Sequence, residues 1–519
     1  MSVTLRSILL ITTLAASCMF GANRARELSD TPGPVAKVAV VDPDHDQGKW
    51  EGWGSSLAWW GRAIGGTGNA DYYADLIYTL KSVDGYPGLG LNVVRYNVGG
   101  GGSDQPRENK GPKLKWQMDI HGYWVDPKSE DPNSPSWHWA ADLNQRTMML
   151  KARQRGADVF ELFSDSPMWW MNSNRSTAGS DNGGDCLARA NYERFAVYLA
   201  TVARYAANHW GIKFRSVEPF NEPSADWWKY PERQEGCHFD IGTQKVIIEK
   251  LRRSLEREQL GDTPIAASDE NDVDVALHTW NAFDTATRAS IGKLNVHGYY
   301  RGTNPYRGSN RIALRQAVGG KDIWQSEYGG PDGSGLEMAE SIILDIRELK
   351  PKAWVYWQPV EPESGWGFIN ATYVDTGDQI KPDSRTDLVR VNRKFFVYGQ
   401  FTRYMRPGFQ IIEINDPNSI AAYDETEQKL VIVTVTGVDA MSIRYDLSKF
   451  NASGGVVQRI ATTTAPGGEI PDWKQHSDTL PFDRATKTYT SDLYPRSVYT
   501  FVVQEVPRIA ASGASAPLR

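Results

Sequence analysis

The sequence predicts an α/β protein in which a (β/α)8 TIM barrel is followed by a C-terminal β-sandwich side domain. Eight short apolar runs alternate with eight amphipathic helical patterns over most of the 519 residues. After the Pro-Gly pair at 407–408 the helical patterns stop, and short β-branched runs bounded by turn residues follow. A doubly wound open sheet would share the alternation, and the barrel is favoured over it by the residues at the strand ends.

Each element of the barrel is predicted from its own pattern. The predicted strands are apolar runs at 50–55, 91–96, 159–164, 216–220, 264–268, 293–299, 322–326 and 353–358. The predicted helices repeat apolar residues at helical spacing over 71–81, 140–155, 191–210, 242–259, 273–283, 309–318, 336–350 and 388–405. The sandwich strands are predicted at 411–415, 420–424, 429–436, 442–446, 456–461 and 497–504, and a strand at 36–41 can pair with them.

These patterns divide the chain into four parts. We expect a secretory signal peptide over 1–22, the barrel over 46–400, the sandwich over 35–45 plus 401–507, and a disordered tail over 508–519. The signal is predicted because Arg6 precedes an apolar stretch at 8–16, which small residues follow. A membrane anchor is the alternative reading of that stretch. With the signal cleaved, the mature protein is expected to be secreted, extracellular and free of the membrane.

Secretion changes how the cysteines are interpreted, because disulfides form in oxidising compartments. Cys186 and Cys237 remain after signal cleavage, and they are expected to form one disulfide, with two free thiols as the alternative. Three Asn-x-Ser/Thr sequons, at Asn174, Asn370 and Asn451, are compatible with a glycosylated surface.

Charge and composition narrow the possible partners. The net charge is −6, and no run of Lys or Arg stands out, which argues against a nucleic-acid partner. The chain has 19 Trp against 8 His and 3 Cys, a balance that favours stacking on flat ligands over metal binding. It has no His-Glu-x-x-His motif, calcium loop or phosphate-binding glycine loop, so we expect no metal and no cofactor. A monomer is expected.

Two glutamates end predicted strands that lie opposite one another in a barrel. Glu222 follows the fourth strand in the sequence EPFNEP, and Glu327 ends the seventh in WQSEYGG. Barrel enzymes carry their reactive groups at the C-terminal ends of the strands. Two carboxylates facing across one cleft are what glycoside hydrolysis needs, one to donate a proton and one to attack or to activate water. The sequence therefore predicts a glycosidase acting on a polysaccharide or oligosaccharide.

Other residues at the strand ends and in the following loops are expected to bind the sugar. Arg95 can anchor the nucleophile, Asn221 can bond a 2-hydroxyl, and indoles can stack on the apolar face of a pyranose. Half of each Trp doublet is expected to pack in the core instead. The predicted substrate-binding residues are Trp53, Trp59, Arg95, Asn97, Asp165, Trp169, Asn221, Trp227, His297, Tyr299 and Trp357.

These motifs resemble glycoside hydrolase family 30 of clan A. The junction sequences KFFVYGQF at 394–401 and MRPG at 405–408 are similar to that family's passage into its sandwich. The segments WEGWGSSLAWW at 50–60 and LGLNVVRYN at 89–97 resemble the fungal endo-β-1,6-galactanases of the family.

The resemblance implies a retaining mechanism with Glu222 as acid/base and Glu327 as nucleophile. It also implies the β-1,6-galactan side chains of arabinogalactan proteins as substrate. Another β-glycan, such as β-1,6-glucan, xylan or a glucosyl lipid, and a catalytically silent carbohydrate-binding protein remain the alternatives.

Overall fold

The computed structural model describes residues 37–101, 115–299, 310–362, 365–452, 455–463 and 476–509. It confirms the predicted fold class. Eight parallel strands close into a barrel, and nine further strands, eight of them after the barrel in the chain, form a mostly antiparallel sheet. The predicted signal peptide and nearly all of the predicted tail lie outside the described residues. Within the described ranges, no helix is both long enough and apolar enough to cross a membrane.

The barrel strands, numbered here from one to eight in chain order, are Gly52–Ser56, Val93–Asn97, Val159–Phe163, Ser216–Glu218, Ile265–Ala266, Ile291–His297, Asp322–Tyr328 and Ala353–Tyr356. The eighth strand pairs in parallel with the first, which closes the sheet and excludes the open doubly wound alternative. Every residue of the first, second and fourth strands is buried. Strands buried on both faces read as continuous apolar runs, which is why their positions could be predicted.

Helices cover the outside of the barrel. They are Trp60–Ile64, Ala70–Tyr78, Leu143–Gln154, Tyr192–Tyr205, Ile241–Arg257, Val273–Ala282, Thr285–Ser290, Arg311–Val318, Leu336–Leu344 and Arg393–Thr402. Short 3-10 turns lie at Trp116–Met118, Trp169–Met171 and Arg189–Asn191, and π-helical turns at Ala206–Trp210 and Asp345–Leu349 extend two of the helices. Short strands at Ser82–Val83, Tyr86–Pro87 and Val360–Glu361 complete this part of the chain.

The predicted eighth helix, 388–405, is wrong over its first four residues. Leu388–Val391 forms a strand that pairs antiparallel with Ile369–Ala371, and the helix begins only at Arg393. Two of the four residues, Val389 and Val391, are β-branched and favour an extended backbone. The whole strand is at least partly exposed, so it contributes no buried helical face.

The sandwich strands are Lys37–Lys49, Gln410–Ile414, Ser419–Asp424, Lys429–Val435, Met441–Asp446, Val456–Thr463, His476–Pro481, Thr488–Leu493 and Ser497–Val503. The strand Lys37–Lys49 pairs antiparallel with Gln410–Ile414 and parallel with Met441–Asp446. His476–Pro481 and Thr488–Leu493 were not predicted from the sequence. Inside the sandwich, the rings of Tyr445 and Tyr489 stack with their centroids 4.8 Å apart.

The barrel and the sandwich share side-chain hydrogen bonds. Arg347, from a π-helical turn of the barrel, donates from Nη1 to the carbonyls of Ile414, Asp416 and Ser419 at 2.8–3.1 Å. From the last helix of the barrel, Gln400 donates from Nε2 to Thr462 Oγ1 at 2.8 Å. These bonds join the sandwich to two helical segments of the barrel.

Cys186 and Cys237 are both buried and their side chains are in hydrogen-bond contact without an S–S bond in this structure, so the expected disulfide stays a prediction. The Cys237 thiol donates to the carbonyl of His238 at 3.5 Å, and Cys186 Sγ accepts the His238 amide at 3.3 Å. Each sulfur therefore has a hydrogen-bond partner on the backbone. Burial raises the pKa of Cys237 well above its ordinary value, so the thiol stays protonated.

The three sequons differ in exposure. Asn451 is exposed and Asn174 is half-buried. Asn370 is only 4% exposed and accepts a hydrogen bond from Asn392 Nδ2 at 3.0 Å. A glycan on Asn370 would require that side chain to leave its buried position.

Candidate active site

Glu222 and Glu327 meet at the C-terminal mouth of the barrel. Glu327 lies within the seventh strand, and Glu222 lies four residues beyond the last residue of the fourth. One carboxylate oxygen of Glu222, one of Glu327 and a ring nitrogen of His297 all lie within 4.8 Å of one another. Glu222 and Glu327 are 7% and 5% exposed, so both side chains reach solvent only through the pocket described below.

The backbone fixes the direction of Glu222. Its φ is +47°, in the left-handed region that side-chain-bearing residues seldom adopt. The Glu222 amide donates to the carbonyl of Asp269 at 2.8 Å, and its own carbonyl accepts from Trp228 Nε1 at 2.9 Å. Local strain of this kind persists where surrounding structure holds it, and it is frequent at functional sites.

Glu327 is held by donors on both oxygens. Arg95 donates from Nη1 to Oε2 at 2.6 Å, and the Tyr299 hydroxyl donates to Oε1 at 3.0 Å. His297 Nδ1 lies 3.6 Å from the same Oε1. Burial raises the pKa of Glu327 above its ordinary value, although the cations His297 and Arg95 oppose that rise by favouring the carboxylate.

Arg95 is itself completely buried among carboxylates. It forms a close ion pair with Asp269 and lies 3.7 Å from both Glu161 and Glu218. Its guanidinium carbon lies 3.7 Å from the centroid of the Phe163 ring. Burial alone would lower the pKa of Arg95, but these carboxylates, Asp269 foremost, raise it overall, so the guanidinium stays charged.

Asp269 is a site residue that the sequence analysis missed. In addition to Arg95, it binds the Ser326 hydroxyl at 2.6 Å and lies 3.0 Å from His297 Nε2. Burial raises its pKa, but Arg95 and His297 outweigh burial, and the net pKa is lowered. The signal available was its position three residues beyond the fifth strand, which is only two residues long.

His297 connects Asp269 to the two glutamates. Its Nδ1 lies 3.2 Å from Glu222 Oε1, and its Nε2 faces Asp269. Burial would lower its pKa, but the charges of Asp269 and Glu327 raise it well above the ordinary value. The ring is therefore an imidazolium, which can donate through both nitrogens.

Asn97 and Asp165 lie behind the pocket surface. Asn97 donates from Nδ2 to Asp165 Oδ2 at 2.8 Å, and the Asp165 amide lies 3.3 Å from Asn97 Oδ1. Burial, followed by the charge of Glu327, raises the pKa of Asp165 well above its ordinary value. Asp165 is therefore a neutral acid beside the ionised groups, and neither residue lines the pocket.

The pocket above these groups has a volume of about 670 Å³. Its aromatic walls include Trp59 and Trp357, whose rings meet edge to face with centroids 5.2 Å apart. Asn221 also lines it, and its Oδ1 has no hydrogen-bond partner in the described part of the chain. The lining residues are Trp59, Lys115, Met118, Asn221, Glu222, Trp227, Glu232, Arg233, Gln234, Asn271, Tyr299, Glu327, Trp357, Gln358, Glu361 and Trp366.

Two predicted sugar-binding tryptophans lie elsewhere. Trp53 is fully buried, donates from Nε1 to the carbonyl of Met405 at 2.7 Å, and packs on Tyr398. Because successive side chains of a strand point to opposite faces, Trp53 faces the helices and not the barrel mouth. Trp169 lines a second cavity next to the pocket.

The expectation that half of each Trp doublet packs in the core is confirmed. In each of the three pairs the second tryptophan is buried, and the first is partly exposed. The buried members are Trp60, Trp170 and Trp228, and the partly exposed members are Trp59, Trp169 and Trp227. Trp366, 40% exposed, adds a further ring to the pocket.

Two groups of side chains in the described part of the chain bring three possible metal-ligand atoms within 4.8 Å of one another. One consists of Glu222, His297 and Glu327 in the pocket, and the other of Asp185, His238 and Asp240. In the first group His297 Nδ1 lies 3.2 Å from Glu222 Oε1, and in the second the Asp240 amide donates to Asp185 Oδ1 at 2.6 Å.

Comparison with known proteins identifies the family. The model of O-glycosyl hydrolase family 30 matches residues 36–363. An endo-beta-1,6-galactanase from Hypocrea rufa is 42% identical over 452 residues, covering 85% of this chain and 89% of the relative. An exo-beta-1,6-galactobiohydrolase from Bifidobacterium longum is 25% identical, covering 90% of this chain but only 40% of the relative.

Solved structures agree in fold. A conserved exported protein from Bacteroides fragilis has a TM-score of 0.71 at 18% identity, covering 90% of this chain and 100% of the other. The catalytic domain of the GH30 xylanase C from Talaromyces cellulolyticus has a TM-score of 0.65 at 17% identity, with the same coverage. From the family match, the 42% identical relative and the common fold, the chain belongs to glycoside hydrolase family 30 and is a glycosidase.

Proposed function

We propose that this glycosidase cleaves β-1,6-linked galactan by double displacement, with Glu222 as acid/base and Glu327 as nucleophile. The observation that carries the mechanism is the approach of the two carboxylates, whose nearest oxygens lie within 4.8 Å of each other. Retaining glycosidases hold their carboxyl groups about 5–5.5 Å apart, whereas inverting enzymes leave about 6.5–9.5 Å for a water molecule. The short separation supports direct attack by a carboxylate.

The contacts of each glutamate support the division of roles. Glu327 is fixed by hydrogen bonds from Arg95 and Tyr299, which favour the ionised carboxylate against the rise in pKa that burial causes. Arg95 pairs with Glu327 and Asp269, whereas the nearest cation to Glu222 in the described part of the chain is His297, which also faces Asp269 and Glu327. Glu222, which has no guanidinium partner there, is therefore the carboxyl that we assign to begin the cycle protonated.

In the proposed cycle Glu222 protonates the glycosidic oxygen while Glu327 attacks the anomeric carbon. The bond to the leaving sugar breaks, and a glycosyl ester forms on Glu327. Water then attacks the same carbon, Glu222 takes its proton, and Glu327 leaves as a carboxylate. Two inversions give net retention of the anomeric configuration.

The substrate is proposed from the 42% identical relative, which is named for endo-beta-1,6-galactanase activity. The aromatic lining of the pocket supports a carbohydrate, since the apolar faces of Trp59, Trp227 and Trp366 can stack on pyranose rings. Secretion is part of the proposal and rests on the signal peptide predicted over residues 1–22.

Substitution of the two glutamates tests the mechanism. Glu327→Ala should abolish turnover of every substrate while the far-ultraviolet dichroism stays unchanged. Glu222→Ala should lose activity on galactan but keep much more on aryl galactosides, because a good leaving group needs no acid. Glu427→Ala, an exposed glutamate of the sandwich, is the matched control. Near wild-type turnover by Glu327→Ala would contradict the proposed role.

Product analysis tests the substrate and the stereochemistry. The wild type is incubated with β-1,6-galactan, β-1,3-galactan, β-1,6-glucan and xylan, and the first-formed anomer is read by proton NMR. Short β-anomeric galacto-oligosaccharides from β-1,6-galactan alone would support the proposal. Release from another polymer would overturn the substrate, an α-anomer would overturn double displacement, and no release from any polymer would favour a carbohydrate-binding protein.

A further inference from the structure

A second cavity, here called the rim cavity, lies beside the pocket and has a volume of about 740 Å³. This is within the range of roughly 300–1,000 Å³ typical of ligand sites. Described residues from three loops form most of it: 101 and 116–141 after the second barrel strand, 168–169 after the third, and 375–379 after the eighth. All three lie at the barrel end that holds Glu222 and Glu327.

The rim cavity adjoins the pocket through one short segment. Lys115 and Met118 line the pocket, whereas Trp116 and Asp119 line the rim cavity. The 3-10 turn Trp116–Met118 therefore has one side in each space. A ligand too long for the pocket can extend across this turn into the rim cavity.

The wall of the rim cavity is fixed by a hydrogen-bonded network of one buried and two partly buried side chains. Arg62, 5% exposed, donates from Nε to the carbonyl of Trp116 at 3.0 Å and lies 3.2 Å from His121 Nε2 through Nη2. His121 Nδ1 in turn lies 3.2 Å from Asp378 Oδ2. Trp169 is held through its amide, which donates to the carbonyl of Gly100 at 2.8 Å. Preorganised walls lower the ordering cost of binding.

The lining indicates the chemical class of the ligand. Trp116 and Trp169 are both partly exposed and offer indole faces, and the exposed His138 offers a ring nitrogen. Carboxylates outnumber the strong cations in the lining, since Asp119, Asp375 and Asp378 accompany the single Arg62. An anionic ligand would be repelled, whereas a neutral sugar has both an apolar face for indoles and hydroxyls for carboxylates.

We propose that the rim cavity binds further neutral hexosyl units of the same polysaccharide chain whose scissile bond lies in the pocket. The inference rests on the proposed function, because it assumes that the pocket holds the reacting sugar. The enzyme then gains affinity from sugars several units away from the bond that is cleaved, and long chains are better substrates than short ones.

The test compares chain lengths in the wild type and Trp169→Ala. The ratio of kcat/KM for a galacto-octaose to that for the shortest cleaved oligosaccharide is measured for each protein. The wild-type ratio should exceed one, and Trp169→Ala should lower it about tenfold, the loss expected for one indole–sugar stack. Because each protein is its own reference, partial misfolding cancels from the ratio. Trp169→Phe should restore part of the ratio.

A control removes an exposed aromatic side chain of the sandwich. Tyr494 is 56% exposed and lies far along the chain from the loops of the rim cavity, and Tyr494→Ala should leave the ratio unchanged. Equal effects of Trp169→Ala on short and long substrates, or a wild-type ratio of one, would overturn the inference.

The measurements distinguish a wrong substrate from a rim cavity that binds no sugar. If the wild type cleaves no galacto-oligosaccharide, the substrate is wrong, and the ratio is measured on oligosaccharides of the polymer that it does cleave. If no polymer is cleaved, Kd values for the same length series, with and without Trp169→Ala, replace kcat/KM. A length-dependent loss of affinity supports the rim cavity, and a length-independent one overturns it.

Discussion

Replacing Asp142 by Asn should remove a pH-dependent loss of stability from the protein. Asp142 is fully buried, and its Oδ2 accepts from Gln145 Nε2 at 2.7 Å and from the Tyr96 hydroxyl. Its Oδ1 has no hydrogen-bond partner within the described ranges. Burial, followed by the charge of Asp378, raises the pKa of Asp142 from 3.8 to about 8.

The sign and size of the effect follow from that pKa. A carboxyl with a raised pKa in the folded state binds its proton more tightly when folded, so its contribution to stability is complete below about pH 4. That contribution is lost as the pH rises toward 8. Between pH 5 and pH 9 the loss for Asp142 is about 4 kcal/mol. Asn is neutral throughout, tolerates the φ of +51° at this position, and keeps an acceptor for the Tyr96 hydroxyl.

The free energy of unfolding is measured by urea titration at pH 5 and at pH 9 for the wild type and Asp142→Asn. The free energy of unfolding of Asp142→Asn minus that of the wild type should be several kcal/mol larger at pH 9 than at pH 5. Asp262→Asn, an exposed aspartate, is the control and should show no such shift. A difference that is the same at both pH values would refute a neutral Asp142 in the folded state.

Three further predictions concern the site and the cysteines. Asp269→Asn should lower kcat at least tenfold and move the alkaline limb of the pH–rate profile to lower pH, because the imidazolium of His297 loses its counter-ion; an unchanged profile would mean a purely structural role. Trp366→Ala should raise KM for polymer about tenfold with little change on aryl substrates, as expected if its ring stacks on a sugar. Cys186 and Cys237 should be inert to a thiol reagent in the native protein and also after unfolding without reductant, because their side chains are in contact and a disulfide between them is predicted; reaction of both after unfolding would mean that they are free thiols.

The barrel could be predicted from sequence because of where its strands lie. All eight predicted strands agree with the structure within two residues at each end. Their burial on both faces produces apolar runs that are separated by long amphipathic helices. The two sandwich strands that were missed, His476–Pro481 and Thr488–Leu493, are the two ends of the nine-strand order. End strands carry many polar side chains and give no comparable signal.

Site residues could be predicted where a reactive residue type stands near the C-terminal end of a predicted strand. They were harder to predict where the direction of the side chain decides whether it reaches the pocket. Glu222, Glu327 and Arg95 were found because each stands at or just beyond the end of a clear strand. Trp53 was misplaced because a fully buried strand gives no alternation from which to tell the inner face from the outer. Asp269 was missed because the strand before it is two residues long and the left-handed turn that presents it has no sequence signature.

The pairing of the strand Lys37–Lys49 with strands from the other end of the chain sets the order in which the protein can be completed. Val40 donates to Asn415 Oδ1 at 2.8 Å across 375 residues of sequence. At a synthesis rate of roughly 5–20 residues per second, the first strand waits about 20–75 s for its partners to leave the ribosome. The barrel, whose strands come from the intervening residues, is able to form during that interval. A sandwich that includes this strand can therefore be completed only after the residues of the barrel have been synthesised, and a chain that ends early leaves the strand without its partners.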